Sequence, residues 1–309
     1  MKTSTKDQHI LVVGATGNLG FQICRQLAFS KKDVTALVRT SSLAERVADL
    51  QRLGVKLVTG DLKDATSINR ALDGITTVIS TATTVRSAQE GDSINSVDMT
   101  GQLALVEQAE ARGINRFIYV SFPPMQGDFP LQDAKRKVEN RLTSGKMDFV
   151  ILQPTYFMEA WLSPALGFDF PNAKATVYGE GTRQISWISI GDVAEFATAA
   201  ITESTLKNKT IQLGGPEALS PHNVIQIFEK TLGKKFEVAH VPLEAIQQQH
   251  HSAPDDLTKT FTGLMLNYAT GSTVDMRKVN NDIPIRLLSV ADYARKVFDS
   301  VQKAGVPHF

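Results

Sequence analysis

The stretch Ile10–Gly20 constrains the possible folds of this chain more than any other part of its sequence. It begins with apolar residues typical of a short buried strand and continues into Gly14, Gly17 and Gly20 before a helical pattern begins. A second apolar segment, residues 34–38, follows that helix. The order strand, glycine turn, helix, strand predicts a β-α-β unit.

Each glycine of this turn has its own role. Gly14 allows a tight turn after the strand, Gly17 keeps side-chain atoms away from a phosphate, and Gly20 lets the helix pack close to the strand. Backbone amides at the start of the helix then point toward a bound anion. The residues predicted to hold a pyrophosphate are Gly14, Thr16, Gly17, Asn18, Leu19 and Gly20. The simpler alternative is a glycine-rich turn without a ligand.

Strand-like and helix-like segments alternate as far as Pro154. Further strands are expected at residues 56–59, 76–80, 117–120 and 149–152, with helices at 43–53, after Asp64, at 94–112 and at 131–144. The strands are almost continuously apolar, which is typical of a parallel sheet covered on both faces. A ligand of such a sheet binds at the carboxyl ends of its strands.

The composition is that of an ordinary globular protein. Its 309 residues are 42% hydrophobic and carry a formal net charge of +1 without a basic tract, so we expect neither nucleic acid nor a membrane surface as a partner. No apolar run approaches the roughly 20 residues that span a bilayer, and residues 1–9 are polar. The single cysteine, Cys24, is interpreted as a packing residue and fits a reducing cytoplasm. No histidine has a second ligand at a metal-binding spacing.

The residue after the second strand indicates which dinucleotide binds. An acidic residue about 20 positions past the glycine turn would hold the ribose 2′-hydroxyl of NAD(H). Arg39 stands there instead, followed by Thr40 and Ser41. Because a guanidinium group makes charge-assisted bonds to a 2′-phosphate, this favours NADP(H). The alternative is a solvated arginine at a strand end.

Two further strand ends supply candidate cofactor contacts. After the third strand, Asp61 can accept a hydrogen bond from an adenine amino group while Leu62 covers the ring. After the fourth strand, small residues would let the backbone come close to the cofactor, and they are Thr81, Ala82 and Thr83. A turn aspartate and an ordinary loop are the alternatives.

Seven segments in a fixed order carry a resemblance to a known family. They are Gly14–Gly20, Arg39, Gly60–Leu62, Tyr119–Ser121, Lys135–Glu139, Gln153–Glu159 and Trp187–Ala194. Together they resemble the short-chain dehydrogenase/reductase superfamily, and more narrowly its atypical NmrA-like branch. The resemblance implies an α/β fold: a Rossmann-type doubly wound parallel sheet that binds NADP(H), with a smaller α/β C-terminal substrate-binding region.

The resemblance also predicts how the chain is divided. Residues 1–154 would form the NADP(H)-binding Rossmann domain, and residues 155–309 mainly the substrate-binding region. A segment at about 187–215 would return to the Rossmann domain. We expect the substrate in a cleft between the two lobes.

The sequence departs from the wider superfamily at the catalytic tyrosine. Ordinary members carry Tyr-x-x-x-Lys, whereas Leu131 stands four residues before Lys135, and Asp133 four before Lys137. Lys135 matches the NmrA-like lysine better. That branch includes reductases of quinones, aromatic ethers or conjugated carbonyls that use the lysine without the tyrosine, and nucleotide-sensing regulators with little or no catalysis.

Three residues are candidates for catalysis. Lys135 can bond the nicotinamide ribose and stabilise charge on an oxygen during hydride transfer. Ser121 can bond a substrate carbonyl, and Tyr156 is the nearest alternative phenol. The alternatives are a helix-surface charge for Lys135, as for Arg136, a hydroxyl that closes the strand end for Ser121, and packing for Tyr156.

The last candidate contacts lie around the nicotinamide. Pro154, Tyr156 and Phe157 follow the sixth strand and are predicted beside the cofactor. An apolar substrate wall is predicted from Phe122, Pro123, Met125, Phe157 and Trp161. An apolar cluster that belongs only to the core is the alternative.

The sequence thus favours an NADPH-dependent reductase of a small planar electrophile such as a quinone or an enone. The second hypothesis is a non-catalytic NADP(H) sensor that contacts a regulatory protein, supported by Leu131 in place of the tyrosine. A nucleotide-sugar epimerase or dehydratase ranks lowest because it needs that tyrosine. We expect a cytoplasmic monomer or homodimer.

Overall fold

In the computed structural model, residues 8–85 and 89–303 are described. Residues 1–7, which contributed to the expectation of a cytoplasmic protein, lie outside the described residues. Twelve strands occur in the described part: β1 (His9–Val13), β2 (Asp33–Val38), β3 (Lys56–Thr59), β4 (Thr77–Ser80), β5 (Arg116–Val120), β6 (Asp148–Pro154), β7 (Phe168–Asp169), β8 (Lys174–Tyr178), β9 (Ile185–Ser186), β10 (Lys209–Leu213), β11 (Ala218–Leu219) and β12 (Glu237–Val241).

The α-helices connect these strands. They are α1 (Asn18–Phe29), α2 (Ala44–Arg52), α3 (Ala65–Ala71), α4 (Gln102–Ala111), α5 (Pro130–Ser144), α6 (Met158–Trp161), α7 (Ile190–Ala199), α8 (Pro221–Leu232), α9 (Leu243–His251), α10 (Asp256–Thr270), α11 (Arg277–Asp282) and α12 (Val290–Lys303). A π-helical segment, Ile94–Gly101, leads directly into α4. Two short 3₁₀ turns complete the helical elements, Pro164–Leu166 and Ser204–Leu206.

Seven strands form the central sheet in the order β10-β6-β5-β4-β1-β2-β3. Neighbouring strands from β6 to β3 pair in parallel. The strand order reverses at β1, where the chain runs outward to β2 on one side and later to β4 on the other. A reversal of this kind creates the crevice in which doubly wound sheets bind ligands. The predicted Rossmann-type α/β fold is confirmed.

Buried apolar residues on both faces explain why β1 is central. Leu11 and Val13 belong to a core formed with α3, α4 and α5, whereas Ile10 and Val12 alternate to the opposite face. All four are at most 1% exposed. Cys24 on α1 is also buried, and burial raises the pKa of its thiol to about 12, so its predicted role as a packing residue is confirmed.

The chain folds into two compact units. The first comprises residues up to Phe122 together with Pro130–Gln153 and Val193–Ile211. The second comprises Pro123–Phe129, Pro154–Asp192 and the residues from Gln212 onward. The central sheet therefore belongs mostly to the first unit.

The second unit has its own small sheets and core. Strand β8 pairs in parallel with β12 and antiparallel with β7, and β9 pairs antiparallel with β11. Phe168, Phe228 and Tyr293 are among the residues of its core. The sequence predicts a loop at residues 168–174, and this is wrong at its start, because Phe168 and Asp169 pair with β8 and bury the Phe168 ring against Phe228.

Local sequence signals set several helix ends: the sequence predicts Asp64 and Ser220 as helix caps, and Pro254 as a break that divides residues 244–268 into two helices. The Asp64 side chain accepts a hydrogen bond from the Thr66 amide and caps α3, and Ser220 caps α8. Pro254 lies between α9 and α10, which confirms that this region forms two helices. The sequence also predicts a strand of the main sheet at residues 210–213, and this is confirmed as β10, beside β6.

One helix differs from its prediction. Residues 94–112 were expected to form a single amphipathic α-helix, but Ile94–Gly101 winds as a π-helix before α4 begins. The side chains of Ser93 and Ser96 exchange hydrogen bonds with each other's backbone and fix its start. Segments of π-helix are uncommon and often lie at functional sites.

Candidate cofactor and catalytic site

The glycine turn after β1 has the close contacts that its sequence predicts. Gly14 adopts φ +83°, and a Cβ atom there would lie 2.7 Å from the Ala82 amide nitrogen. The Gly17 amide donates to the Gly14 carbonyl at 3.0 Å. A Cβ atom on Gly20 would lie 2.2 Å from the Gly14 carbonyl oxygen. Gly14 and Gly20 are therefore required by the backbone itself.

The first turn of α1 is arranged to receive an anion. Gly17 precedes the helix and supplies no side-chain cap, so the first amides are not satisfied by a capping side chain. Gly17 and Asn18 are exposed, and Thr16 and Leu19 are half-buried. The Asn18 side chain accepts a hydrogen bond from Arg46 at 3.2 Å. Amides at a helix start combined with the helix dipole suit a phosphate group.

Arg39 lies at the end of β2 within a tight turn. Its amide donates to Ser42 Oγ at 3.0 Å, while Thr40 and Ser41 are exposed. The guanidinium is 26% exposed and bonds the Asp92 carboxylate at 2.6 Å. Asp92 was not predicted as a site residue.

Asp61 and Leu62 occupy the turn after β3. The Asp61 carboxylate accepts a bond from the Lys63 amide at 2.8 Å and lies 3.5 Å from the Lys63 ammonium. Leu62 is only 6% exposed and packs against Gly101, where a Cβ atom would lie 2.9 Å from Leu62 Cβ. Through Leu62, the loop after β3 packs against the π-helical segment.

The segment after β4 is held by the neighbouring elements. Thr81 Oγ1 donates to the Val13 carbonyl at 3.2 Å, and the Ala82 carbonyl accepts from Gln102 Nε2 at 3.2 Å. Thr81, Ala82 and Thr83 are all half-buried. Their backbone therefore lies beside the glycine turn, where a cofactor predicted for the first unit would have to pass.

Lys135 is almost enclosed by the first unit. Its side chain is 6% exposed, and Nζ donates to the Val120 carbonyl at 3.2 Å. Nζ also lies 4.0 Å from Asp98 Oδ1 and 4.8 Å from the centre of the Tyr119 ring. Burial lowers the pKa of Lys135, and the nearby carboxylates of Asp98 and Glu139 offset part of that shift. This lysine is not the helix-surface charge of the alternative interpretation.

Asp98 is the buried partner of Lys135 and comes from the π-helical segment. It is 0% exposed, and its Oδ2 accepts hydrogen bonds from the Thr84 amide at 3.0 Å and the Thr84 hydroxyl at 2.6 Å. Oδ1 has no hydrogen-bond partner among the residues that the structure describes. A buried carboxylate oxygen 4.0 Å from an ammonium leaves a gap that a water or a ligand hydroxyl can bridge.

The position of the usual catalytic tyrosine is filled by packing. Leu131 is 4% exposed on α5, one turn before Lys135, and Asp133 is exposed. Lys137 is exposed. The expectation for Arg136 is wrong: it is half-buried and donates to Ser121 Oγ at 3.1 Å, because the end of β5 faces this side of α5. Its guanidinium also lies 5.5 Å from the Phe122 ring centre.

The remaining candidates lie in the second unit. Pro154 is buried, and Phe157 is half-buried where its backbone pairs with Ile188. Tyr156 is 2% exposed, its hydroxyl donates to the Leu264 carbonyl at 3.4 Å, and burial raises its pKa. These contacts favour the packing alternative for Tyr156.

The predicted substrate residues of this unit surround the same aromatic cluster. Trp161 stacks on Tyr268 with ring centres 5.1 Å apart and meets the Tyr156 ring edge at 4.9 Å. Met125 is half-buried against this core, and Pro123 is buried. Their contacts with a substrate remain predictions.

Four polar residues of the first unit that contact the candidate site residues are not predicted by the sequence, and they are Lys63, Asp92, Asp98 and Arg136. Lys63 and Asp92 lie in loops that have no periodicity, and Asp92 is far along the chain from its partner Arg39. Asp98 could have been found from its position on the otherwise apolar face of its helix. Arg136 gave no signal beyond its place next to Lys135.

Within residues 8–85 and 89–303, no group of three or more His, Cys, Asp or Glu side chains is placed to bind a metal ion. Among the helices of the same ranges, none combines the length and apolar character needed to cross a membrane.

Comparison with known proteins gives several matches. Photosystem II assembly factor Ycf39 of Synechocystis sp. is 30% identical over 244 residues, which cover 77% of this chain and 72% of that protein. NAD(P)H azoreductase of Xenophilus azovorans is 28% identical over 241 residues, covering 77% and 79%. The NADPH-dependent quinone oxidoreductase QOR2 of Escherichia coli, solved with NADPH, has a TM-score of 0.74 at 18% identity, covering 94% and 99%.

The structural match shows the fold and nothing more, because its sequence identity is low. The family rests on a wider comparison of sequence: the NmrA-like family model matches residues 6–281, which is most of the chain. The matched range includes the glycine turn, Arg39 and Lys135, which are among the positions that carry the resemblance. The chain therefore belongs to the NmrA-like family.

Proposed function

We propose that the protein is an NADPH-dependent reductase that transfers hydride to a small planar electrophile, such as a quinone, an enone or a related carbonyl compound. The observation that carries this proposal is the enclosed ammonium group of Lys135 beside the end of β5. The glycine turn ends β1, and β1, β4 and β5 are parallel neighbours, so both features share one edge of the sheet. Hydride transfer from a dinucleotide needs the phosphate-binding turn and the charged group of the reaction site at the same edge of the sheet.

The residues of the first unit fit this cofactor. The uncapped first turn of α1 and the exposed Gly17 would take the pyrophosphate, and Arg39 would take the 2′-phosphate. NADPH supplies the hydride when it is bound. The choice of NADP(H) is further supported by the Escherichia coli quinone oxidoreductase, which was solved with NADPH.

Lys135 would act by holding a positive charge at a fixed position. The Val120 carbonyl and the Asp98 carboxylate orient the ammonium, and the surrounding protein excludes most water. A cation in such a place stabilises negative charge on a substrate oxygen more strongly than it would in water. The same ammonium can bond a ribose hydroxyl of the cofactor and so orient it.

Ser121 would bond the carbonyl oxygen of the substrate. Its Oγ accepts a hydrogen bond from Arg136, so its own proton points to another acceptor. The Leu131 side chain cannot donate a proton, and the electrophile would therefore take its proton from water. Quinones suit such a site because their reduced oxygens are readily protonated by solvent.

The proposal is tested by measuring NADPH oxidation with a panel of quinones, enones and azo compounds. Turnover of at least one class, with NADPH preferred to NADH, is the expected result. Tight NADP(H) binding without turnover across the whole panel would contradict a reductase. Failure to bind NADP(H) at all would contradict the cofactor assignment as well.

Arg39→Gln is expected to weaken NADP⁺ binding by about 10- to 100-fold, because it removes a charge-assisted bond to the 2′-phosphate. NAD⁺ affinity should stay within about twofold, since NAD⁺ lacks that phosphate. Both affinities can be measured by isothermal titration calorimetry. Arg52→Gln is a matched control, because Arg52 is an exposed arginine at the end of α2 that forms an ion pair with Asp49. Equal losses for both dinucleotides would contradict the role of Arg39.

A second candidate function is a non-catalytic protein that binds NADP(H) and acts through a protein partner. Leu131, which fills the tyrosine position, favours it. So does the similarity to photosystem II assembly factor Ycf39, whose name describes assembly and no reaction. The same panel separates the two functions, because a sensor binds the cofactor and turns over none of the electrophiles.

A further inference from the structure

The turns after β2 and β3 bring two cations and one buried carboxylate together. Val38 at the end of β2 is paired with Thr59 at the end of β3, so the residues that follow both strands share one edge of the sheet. Arg39 comes from the first turn and Lys63 from the second. Asp92, in the segment that follows β4, bonds both of them.

The burial of these three groups shows which of them can meet a ligand. The Asp92 side chain is 1% exposed, whereas those of Arg39 and Lys63 are 26% and 30% exposed. The carboxylate therefore lies on the protein side and both cations on the solvent side. An ordinary surface ion pair would leave the carboxylate exposed as well.

The carboxylate is itself fixed in place. Asp92 Oδ2 accepts a hydrogen bond from the Gln89 amide at 3.0 Å, and Gln89 Nε2 donates to the Ser41 carbonyl at 3.2 Å. Burial raises the pKa of Asp92, but the bonds from Lys63, the Gln89 amide and Arg39 lower it overall, so it stays ionised at neutral pH. The segment carrying Asp92 is thus attached to the same turn that carries Arg39.

We infer that Lys63 is a second binding residue for the 2′-phosphate of the cofactor, and that Asp92 is the positioning residue that holds Lys63 and Arg39 side by side. This inference rests on the proposed NADP(H) function. Two adjacent cations match a phosphate dianion better than one does. Fixing two long side chains in advance reduces the entropy lost on binding.

Because of the charges around the site, the direction in which Asp92→Asn changes NADP⁺ affinity decides between two roles of Asp92. Asp61 lies 3.5 Å from the Lys63 ammonium, so two carboxylates balance the two cations. If Asp92 mainly opposed the phosphate by repulsion, Asp92→Asn would tighten NADP⁺ binding. If Asp92 positions the cations, the same substitution weakens NADP⁺ binding although it removes a negative charge.

The test is calorimetric titration of the full-length protein with NADP⁺, NAD⁺, adenosine 2′,5′-bisphosphate and AMP. Lys63→Gln is expected to weaken binding of the two 2′-phosphorylated ligands about tenfold, and Asp92→Asn at least about fivefold, with NAD⁺ and AMP changed less than about twofold. Unchanged NAD⁺ affinity also shows that a variant is folded. Lys56→Gln is the matched control, since Lys56 begins β3 at the opposite edge of the sheet and pairs with Asp33.

The outcomes separate this inference from the proposed function. If the wild-type protein prefers NADP⁺ but Lys63→Gln and Asp92→Asn keep that preference, the inference is wrong and the function stands. Tighter NADP⁺ binding by Asp92→Asn also overturns the positioning role. If the wild-type protein binds no NADP⁺, the proposed function fails first. Should Asp92→Asn lose NAD⁺ binding as well, Lys63→Gln alone decides the result.

Discussion

Lys135→Met is expected to lower kcat for every electrophile that the protein reduces by about 100-fold or more, because it removes the ammonium group enclosed near the end of β5. NADP⁺ affinity should fall much less, since the glycine turn and Arg39 remain. The measurement is steady-state NADPH oxidation together with calorimetric NADP⁺ binding. Retention of more than half of the wild-type kcat would show that Lys135 has no part in catalysis.

Two further variants keep this experiment interpretable. Lys137→Met removes the same charge from an exposed position on the same helix and should leave kcat within about twofold. Lys135→Met also leaves Asp98 as a buried carboxylate without its cation, which is destabilising. Lys135→Met/Asp98→Asn removes both charges, and it should be as inactive as the single variant while unfolding at a higher temperature.

The pH dependence follows from the enclosure of Lys135. Burial lowers the pKa of this lysine, so the ammonium loses its proton at a lower pH than an exposed lysine does. Since the charged form stabilises the substrate oxygen, kcat should decline as the pH rises through that pKa. The alkaline decline should be absent from the residual activity of Lys135→Met.

Gly20→Ala is expected to destabilise the protein by about 2–3 kcal/mol and to weaken NADP⁺ binding at least tenfold. The added Cβ would lie 2.2 Å from the Gly14 carbonyl oxygen and 2.9 Å from Ala15 Cα. These are backbone atoms, so relief requires α1 or the phosphate-binding turn to move. Thermal unfolding should show a midpoint lowered by roughly 5 °C or more.

Gly191→Ala is the matched control for this substitution. Gly191 also lies in the first turn of a helix, α7, but a Cβ atom there meets only Ser189 Oγ, at 3.5 Å. Its unfolding midpoint should therefore stay within about 1–2 °C of the wild type. A Gly20→Ala variant that unfolds like this control and binds NADP⁺ normally would refute the close-packing role of Gly20.

The sequence was most informative where one residue determines the local backbone. Gly14, Gly20, the Asp64 cap and the proline between α9 and α10 each act within a few residues, so their consequences could be predicted and are found in the structure. The order of strands and helices, and the family, followed from the same local patterns. The division into domains and the substrate contacts stay predictions.

The contacts around Arg39 and Lys135 could not be predicted, because they join residues far apart in the chain. Asp92 contacts Arg39 because the segment that follows β4 lies at the same edge of the sheet as the end of β2. Arg136 resembles an exposed helix charge until the end of β5 is seen to face it. The π-helical winding of Ile94–Gly101 has no residue pattern that separates it from an α-helix.

That winding makes the number of residues in the segment as important as their identity. Asp98 reaches Thr84 and Lys135 from the π-helix, while Gln102, the first residue of α4, reaches Ser80 and Ala82. Deleting one of the residues 99–101 would turn Asp98 relative to Gln102 by roughly a quarter turn, so both could not keep their partners. Such a deletion would separate Lys135 from the Asp98 carboxylate without altering a single catalytic side chain.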